Sequence, residues 1–222
     1  MPALPLKNEY RPTLGELLGP RWRGASLGGR ALWLGLAAAA TAMIVGATLT
    51  LLAPTISYGG PVPFSFSYGG LYRAAPEAGE YVRVQRLIDG RLHDSFAVGP
   101  LALPPYRGAI GAALALYAVG YVQQLAHTRL PSEGAVVVRG EGSTQIDAVS
   151  GYATYNVFYT TTLSGRAMYG RDVLLLPDHA DARQGVAIEM LTAVAGNRQV
   201  TSALDVGVKG ALEEPLGSFA LE

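Results

Sequence analysis

Two long apolar runs without a charged residue dominate the hydrophobic pattern of the chain: residues 31–53 and residues 108–126. As helices they would be ~35 Å and ~28 Å long, close to the ~30 Å of a bilayer's hydrocarbon layer. The pattern therefore predicts two membrane-spanning helices. For the first run the alternative is a secretory signal, and for the second it is a buried helix of a soluble domain, since Gln123 and Gln124 lie near its end.

The predicted fold class is a two-span α-helical membrane protein with a small β-rich external segment and a cytoplasmic α+β domain. Arg21, Arg23 and Arg30 precede the first span, which favours a bacterial cell membrane protein with both termini in the cytoplasm, although Arg107 argues the other way. The predicted organisation is a cytoplasmic juxtamembrane segment (1–30), the first transmembrane helix (31–53), the external β-rich segment (54–107), the second transmembrane helix (108–126) and the cytoplasmic α+β domain (127–222). Within the first segment, Thr13 and Glu16 fit a capping box of a short interfacial helix; the alternative is a disordered tail.

The segment 54–107 has the alternation and turns of a β structure. Asp89-Gly90 lies between two β-rich runs and predicts a hairpin. Ser57–Gly60 recurs as Ser67–Gly70, which indicates two aromatic strands that end in glycine turns.

The same segment has eight aromatic residues in about 50 positions and no cysteine for a disulfide. A core that small does not bury so many rings, so we expect them to form a contact surface for a partner. The candidate contact residues are Tyr58, Phe64, Phe66 and Tyr68, with Arg83 and Arg86 across the hairpin.

The carboxy-terminal part predicts a four-stranded antiparallel sheet followed by helices. Residues 152–163 alternate, Ser164-Gly165 predicts a turn, and residues 173–176 have the apolar run of a strand buried on both faces. The spacing of Val186, Met190 and Val194 predicts a helix that begins at Asp178 or Asp181 and ends near Ala195; that of Val200, Leu204 and Val208 predicts another.

The amino-acid composition limits the kinds of binding site and reactive group that the chain can contain. The formal net charge is zero, and residues 130–222 have six basic against eleven acidic groups, which argues against nucleic-acid binding. The absence of Cys excludes thiolate sites.

His93 and Asp94 are neighbours on a predicted strand, so we expect their side chains to point to opposite faces. His179 with its flanking aspartates is interpreted as a helix cap rather than a metal site. We therefore predict no catalytic, cofactor-binding or metal-binding residue, and no cofactor.

Small residues recur at spacings of four in both apolar runs, which is typical of closely packed helices. The alternative is chance, since Ala and Gly are common in this chain. The candidate helix-packing residues are Ala38, Ala42 and Gly46 in the first run and Gly108, Gly111, Ala112 and Ala115 in the second.

The leading functional hypothesis is a non-enzymatic membrane accessory or scaffolding subunit. Its expected partners are the lipid bilayer and either another protein or a second copy of the chain. The alternatives are a membrane signalling or sensor module and an enzyme whose site the sequence does not reveal.

Overall fold

The computed structural model describes residues 53–129, 136–143, 151–179 and 181–222, together with residues 26, 31, 32, 34–41 and 43. The chain forms two compact units, Met1–Leu52 and Ala53–Glu222. In the first unit, the described residues from 31 to 43 are helical and exposed, and the Thr41 hydroxyl donates a hydrogen bond to the carbonyl of Ala37 at 2.9 Å.

The second unit is mainly β-sheet. Its described part contains ten strands in two sheets with the orders β1-β2-β10 and β3-β4-β5-β9-β8-β7-β6, and neighbouring strands are antiparallel. The strands are β1 (Thr55–Tyr58), β2 (Phe64–Ser67), β3 (Tyr72–Ala74), β4 (Val82–Ile88), β5 (Arg91–Ala102), β6 (Val137–Gly142), β7 (Tyr152–Leu163), β8 (Arg166–Pro177), β9 (Gln184–Ala193) and β10 (Ala220–Leu221).

Helices complete this unit. Helix α1 (Ile110–Arg129) connects the β5 side of the large sheet to β6, and a short helix α2 (Glu213–Gly217) precedes β10. Two single-turn 3-10 helices, Ala203–Asp205 and Gly210–Leu212, lie between β9 and α2.

Two tight turns confirm the predicted hairpins. Asp89 and Gly90 join β4 to β5 with φ values of 52° and 72°, and Ser164 and Gly165 join β7 to β8 with 49° and 72°. Positive φ at both turn residues matches the twist of the flanking strands, and Gly adopts it without steric cost.

The large sheet is buried on both faces. One face packs against the small sheet and the carboxy-terminal segment in a first core that includes Phe66, Phe96, Ile188 and Phe219. The other face packs against α1 in a second core, where Leu114, Ala118 and Val122 lie on one stripe of the helix.

Strand β8 shows this layering most clearly. Val173 and Leu175 belong to the first core, whereas Leu174 and Leu176 belong to the second. The prediction that residues 173–176 form a strand buried on both faces is confirmed.

The predicted two-span fold class is wrong, since the second unit is mainly β-sheet. Within the described residues, no helix combines the length and the apolar character that a membrane crossing needs. The predicted second span, 108–126, lies mostly in α1, and one stripe of that helix packs on the sheet. The predicted localisation as a multi-pass membrane protein with cytoplasmic termini is therefore wrong as well. The fold gives no support for the predicted contact with a lipid bilayer. The predicted first span, 31–53, lies partly outside the described residues.

The prediction of separate external and cytoplasmic parts is also wrong. Strand β5, from segment 54–107, pairs with β9, from segment 127–222, over nine residue pairs from Asp94–Thr192 to Ala102–Gln184. Hydrogen-bonded neighbours in one sheet lie on the same side of any boundary, so the two segments form one unit.

The helix predicted to end near Ala195 is strand β9. Val186, Met190 and Val194 are four residues apart, and this spacing places side chains on one face of a helix and of a strand alike. In place of the helix predicted from Val200 to Val208, the structure has a single 3-10 turn, Ala203–Asp205. The amino-terminal capping box, Ala42, Gly46 and residues 144–150 lie outside the described residues.

Because β9 needs β5 as its neighbour, we expect the fragment 127–222 alone not to fold. Circular dichroism and urea unfolding should show no cooperative transition for the fragment. Adding the fragment 54–126 in trans should restore one, since it supplies the β5 edge, much of the first core and the stripe of α1 that covers the second core. A cooperative transition of 127–222 alone would contradict this expectation.

Candidate functional site

The predicted contact rings lie mostly inside the first core. Phe64 and Phe66 are buried, and the Phe219 ring stacks 5.5 Å from the first and 6.3 Å from the second. These two rings are therefore covered by the chain itself and are not available to a partner in this fold. Tyr58 and Tyr68 are half-buried, and a partner contact through them stays a prediction.

The two predicted contact arginines are bound within the chain. Arg83 forms ion pairs with Glu77 at 3.1 Å and with Glu80. Arg86 donates from Nε to Asp94 Oδ2 at 2.7 Å and forms an ion pair with the same oxygen through Nη2 at 2.6 Å. Arg86 thus joins β4 to β5, whereas Arg83 joins β4 to the segment that precedes it.

His93 and Asp94 do form a pair, so the expectation that their side chains point to opposite faces is wrong. His93 Nδ1 lies 2.8 Å from Asp94 Oδ2, and both residues are buried. The cause is a β-bulge: the register passes from Arg86–Asp94 to Leu87–Leu92, which leaves His93 as the extra residue. Alternation of side chains fails at a bulge.

Asp94 is the centre of a larger buried network. The Thr192 hydroxyl donates to Asp94 Oδ1 at 2.5 Å and accepts from the Asn197 side-chain amide at 3.0 Å. The Asn197 carbonyl oxygen in turn accepts from the backbone N–H groups of Gln199 and Val200. The network ties β4, β5 and β9 to the following loop. Because both oxygens of Asp94 are occupied and His93 is buried, this arrangement resembles a structural brace more than a reactive centre.

A second polar cluster lies beneath α1. Asp172 and Glu189 are buried at paired positions of β8 and β9. The Tyr159 hydroxyl donates to Asp172 Oδ1 at 3.0 Å, and the Tyr121 hydroxyl, from α1, donates to Glu189 Oε1 at 3.2 Å. Burial, and then the negative charges of Asp172 and Glu189, raise the pKa of Tyr159 well above its usual value. The phenol therefore remains a hydrogen-bond donor at neutral pH.

The opposite face of the sheet holds a buried cation. The Arg171 guanidinium donates to Asn156 Oδ1 at 2.9 Å and to the Val206 carbonyl at 3.0 Å, and it lies 5.1 Å from the centroid of the Phe158 ring. Burial lowers the pKa of Arg171 to about 10. Its contacts hold the segment after the first 3-10 helix against β7 and β8.

Apart from His93 and Asp94, the sequence pattern does not single out these buried polar groups. The one signal available was a charged residue within an otherwise apolar strand pattern, such as Asp172 before Val173 or Glu189 within β9. Within the described ranges, no three His, Asp or Glu side chains gather closely enough to share a metal ion.

The outer face of α1 is an apolar surface that the described chain leaves uncovered. Gly111, Ala112, Leu116 and Gly120 are exposed, and Leu116 is 88% exposed. A Cβ atom added at Gly111 or Gly120 would meet no atom within 4 Å. From Ile110 to Gln124 the helix has no charged residue.

Four predicted helix-packing residues belong to this region. Gly108, Gly111 and Ala112 are exposed, whereas Ala115 packs at the border of the second core. The sheet therefore does not pack against Gly111 and Ala112, which remain exposed on the outer face of α1.

No family model matches the chain, and no curated protein matches it. Among solved structures, cyanobacterial PsbP from Synechocystis is similar over 77% of this chain and 94% of its own, with 13% identity and a TM-score of 0.48. LpqN from Mycobacterium tuberculosis, a protein involved in cell envelope biogenesis, is similar over 77% of this chain and 91% of its own, with 8% identity and a TM-score of 0.44. A Pseudomonas aeruginosa protein of unknown function is similar over 63% of this chain and 82% of its own, with 14% identity and a TM-score of 0.30. Sequence identities and TM-scores this low carry no argument about the function of this chain.

We expect Asp94→Asn to lower the free energy of unfolding by about 2 kcal/mol, because an amide cannot accept all the hydrogen bonds that Arg86, His93 and Thr192 direct at Asp94. Urea unfolding would measure the change. The matched control is Asp89→Asn, since Asn tolerates the positive φ of the exposed turn. Equal stability of the two variants would show that the network does not brace the sheet.

The raised pKa of Tyr159 makes stability depend on alkaline pH. Above about pH 10 the phenol ionises in the unfolded chain but stays protonated in the folded one, so the free energy of unfolding falls as pH rises, by up to ~1.4 kcal/mol per pH unit. Thermal unfolding between about pH 9 and 11 should show a smaller decline in Tyr159→Phe than in the wild type. The exposed Tyr72→Phe serves as control, and an unchanged decline in Tyr159→Phe would contradict the prediction.

Proposed function

We propose that this chain is a non-enzymatic accessory domain that binds another protein through the outer face of α1. The observation that carries the proposal is this face itself: a helix whose inner stripe is fully occupied by the sheet and whose outer stripe is uncharged, apolar and exposed. Exposed apolar patches on folded proteins typically mark interaction sites.

The side chains on this face indicate the kind of surface it accepts. Gly111, Ala112 and Gly120 are small, so a second backbone can approach closely, and Leu116 projects as a single large apolar anchor. An apolar helix of the partner fits this relief, because its side-chain ridges pack into the shallow groove that small residues leave.

The buried polar groups support a non-catalytic role. Asp94 is saturated by neighbours from its own chain, and Tyr159 and Tyr121 donate to the carboxylates beneath α1. These groups act in holding the fold together.

A single cysteine at Ala112 tests the surface, because the chain has no native Cys. We expect Ala112→Cys, labelled with a maleimide photo-crosslinker in its native host, to yield a defined adduct with a second protein. The reason is that Ala112 lies in the middle of the proposed contact. A cross-link only to a second copy of the chain would replace the accessory role with self-association, and no adduct at all would refute the proposal.

Two matched charge variants separate binding from folding. Leu116→Glu should reduce the yield of that adduct at least tenfold, since a carboxylate must be desolvated on binding. Leu204→Glu places the same charge on an exposed leucine of the first 3-10 helix, outside α1, and should leave the yield unchanged. Both variants should unfold at the wild-type temperature, because neither position is buried.

A further inference from the structure

A trough with a volume of about 360 Å³ crosses β6, β7 and β8 near the β7–β8 turn. The strand register shows which face of the sheet carries it. Thr160 pairs with Tyr169, which packs against the first core, and Val137 pairs with Thr160 in turn. Paired residues share a face, so the trough lies on the face opposite α1. Its floor and sides include Val137, Arg139, Thr160, Thr162, Tyr169 and Val194.

The trough has a cation on its β6 side. Arg139 is the extra residue of a β-bulge, between Val138 and Gly140. Its Nε donates to Thr160 Oγ1 at 3.0 Å, so the guanidinium lies on the trough face of the sheet. Among the residues that the structure describes, no carboxylate forms an ion pair with Arg139. Both Nη groups of this exposed side chain are therefore able to bind an anion.

Two threonine hydroxyls on the floor add further donors. Thr160 Oγ1 accepts from Arg139, which leaves its own hydrogen free to donate. Thr162 is two residues further along β7, so its side chain lies on the same face, roughly 6–7 Å away along the strand. In the described part of the chain the Thr162 hydroxyl has no hydrogen-bond partner. The donors of the trough thus come from two strands and point at it from different directions.

The β8–β9 side of the trough is apolar. The Tyr169 hydroxyl donates to the Thr201 carbonyl at 2.9 Å, which uses its polar end and holds the ring in place. Val194 adjoins this ring through the hydrogen bond from its backbone N–H to the Ala167 carbonyl. A ligand that fills the trough therefore meets donors at one end and apolar side chains at the other.

We propose that this trough binds a small phosphate monoester with an apolar body. The phosphate accepts from the Arg139 Nη groups and from the hydroxyls of Thr160 and Thr162, and the body lies against Tyr169 and Val194. A tetrahedral phosphate directs three terminal oxygens to different sides, so it can use donors from both strands, whereas a planar carboxylate pairs best with the guanidinium alone. The volume of the trough accommodates an aromatic ring beside the phosphate.

This inference does not depend on the proposed protein contact. That contact uses the outer face of α1, and α1 packs on the other face of the sheet. The ligand experiment therefore uses purified protein without a partner, and either proposal can fail alone.

The experiment is a titration of the full chain with phenyl phosphate, monitored by ligand-observed NMR and by thermal unfolding. Phenol has the same ring without the anion, and benzoate has the ring with a planar anion. We expect saturable binding of phenyl phosphate, a rise in the unfolding temperature, and an affinity at least tenfold weaker for each of the other two probes. Absence of saturable binding, or equal affinity for phenol or for benzoate, would overturn the proposal.

Two variants locate the site. Arg139→Gln removes the cation from an exposed position, so we expect at least a tenfold loss of phenyl phosphate affinity at an unchanged unfolding temperature. Thr162→Val keeps the shape of the side chain without the hydroxyl and should weaken phenyl phosphate several-fold. The control is Arg91→Gln, which removes an exposed arginine at the β4–β5 turn. Unchanged affinity in both site variants, or an equal loss in the control, would show that phenyl phosphate binds elsewhere.

Discussion

The pairing of β5 with β9 is the interaction on which the rest of this structure depends. It joins residues that are 82 to 98 positions apart in the chain, over nine consecutive residue pairs. Without it the large sheet divides into β3-β4-β5 on one side and β9-β8-β7-β6 on the other. Each half would then expose a long unpaired edge and the apolar side chains that the small sheet and α1 now cover.

The two faces of that sheet follow from the same register. Because side chains alternate along a strand, one register places Phe96 and Ile188 in the first core and Ala187 and Leu174 in the second. A slip by one residue would move each set to the wrong face. The apolar pattern on both sides of β8 and β9 therefore selects one pairing, and the small sheet and α1 each find a complementary surface.

The same register also positions the buried polar groups. Asp94 lies opposite Thr192, and Asp172 opposite Glu189, so each carboxylate meets a donor from another strand or from α1. These networks favour the observed register, since a slip by one residue would turn each carboxylate to the other face of the sheet. The outer face of α1, which we propose as a binding surface, lies at the margin of this braced core, so binding there would leave the register undisturbed.

The sequence by itself determined the local features: the turns at Asp89-Gly90 and Ser164-Gly165, and the doubly buried strand at residues 173–176. Each depends on a few adjacent residues and their backbone preferences. Only the tertiary structure decided that the run 108–126 packs on a sheet rather than in a bilayer, because an uncharged apolar helix suits both environments. It also decided that the residues before Ala195 form a strand, and that a bulge pairs His93 with Asp94. Those outcomes depend on partners distant in sequence, which no local pattern identifies.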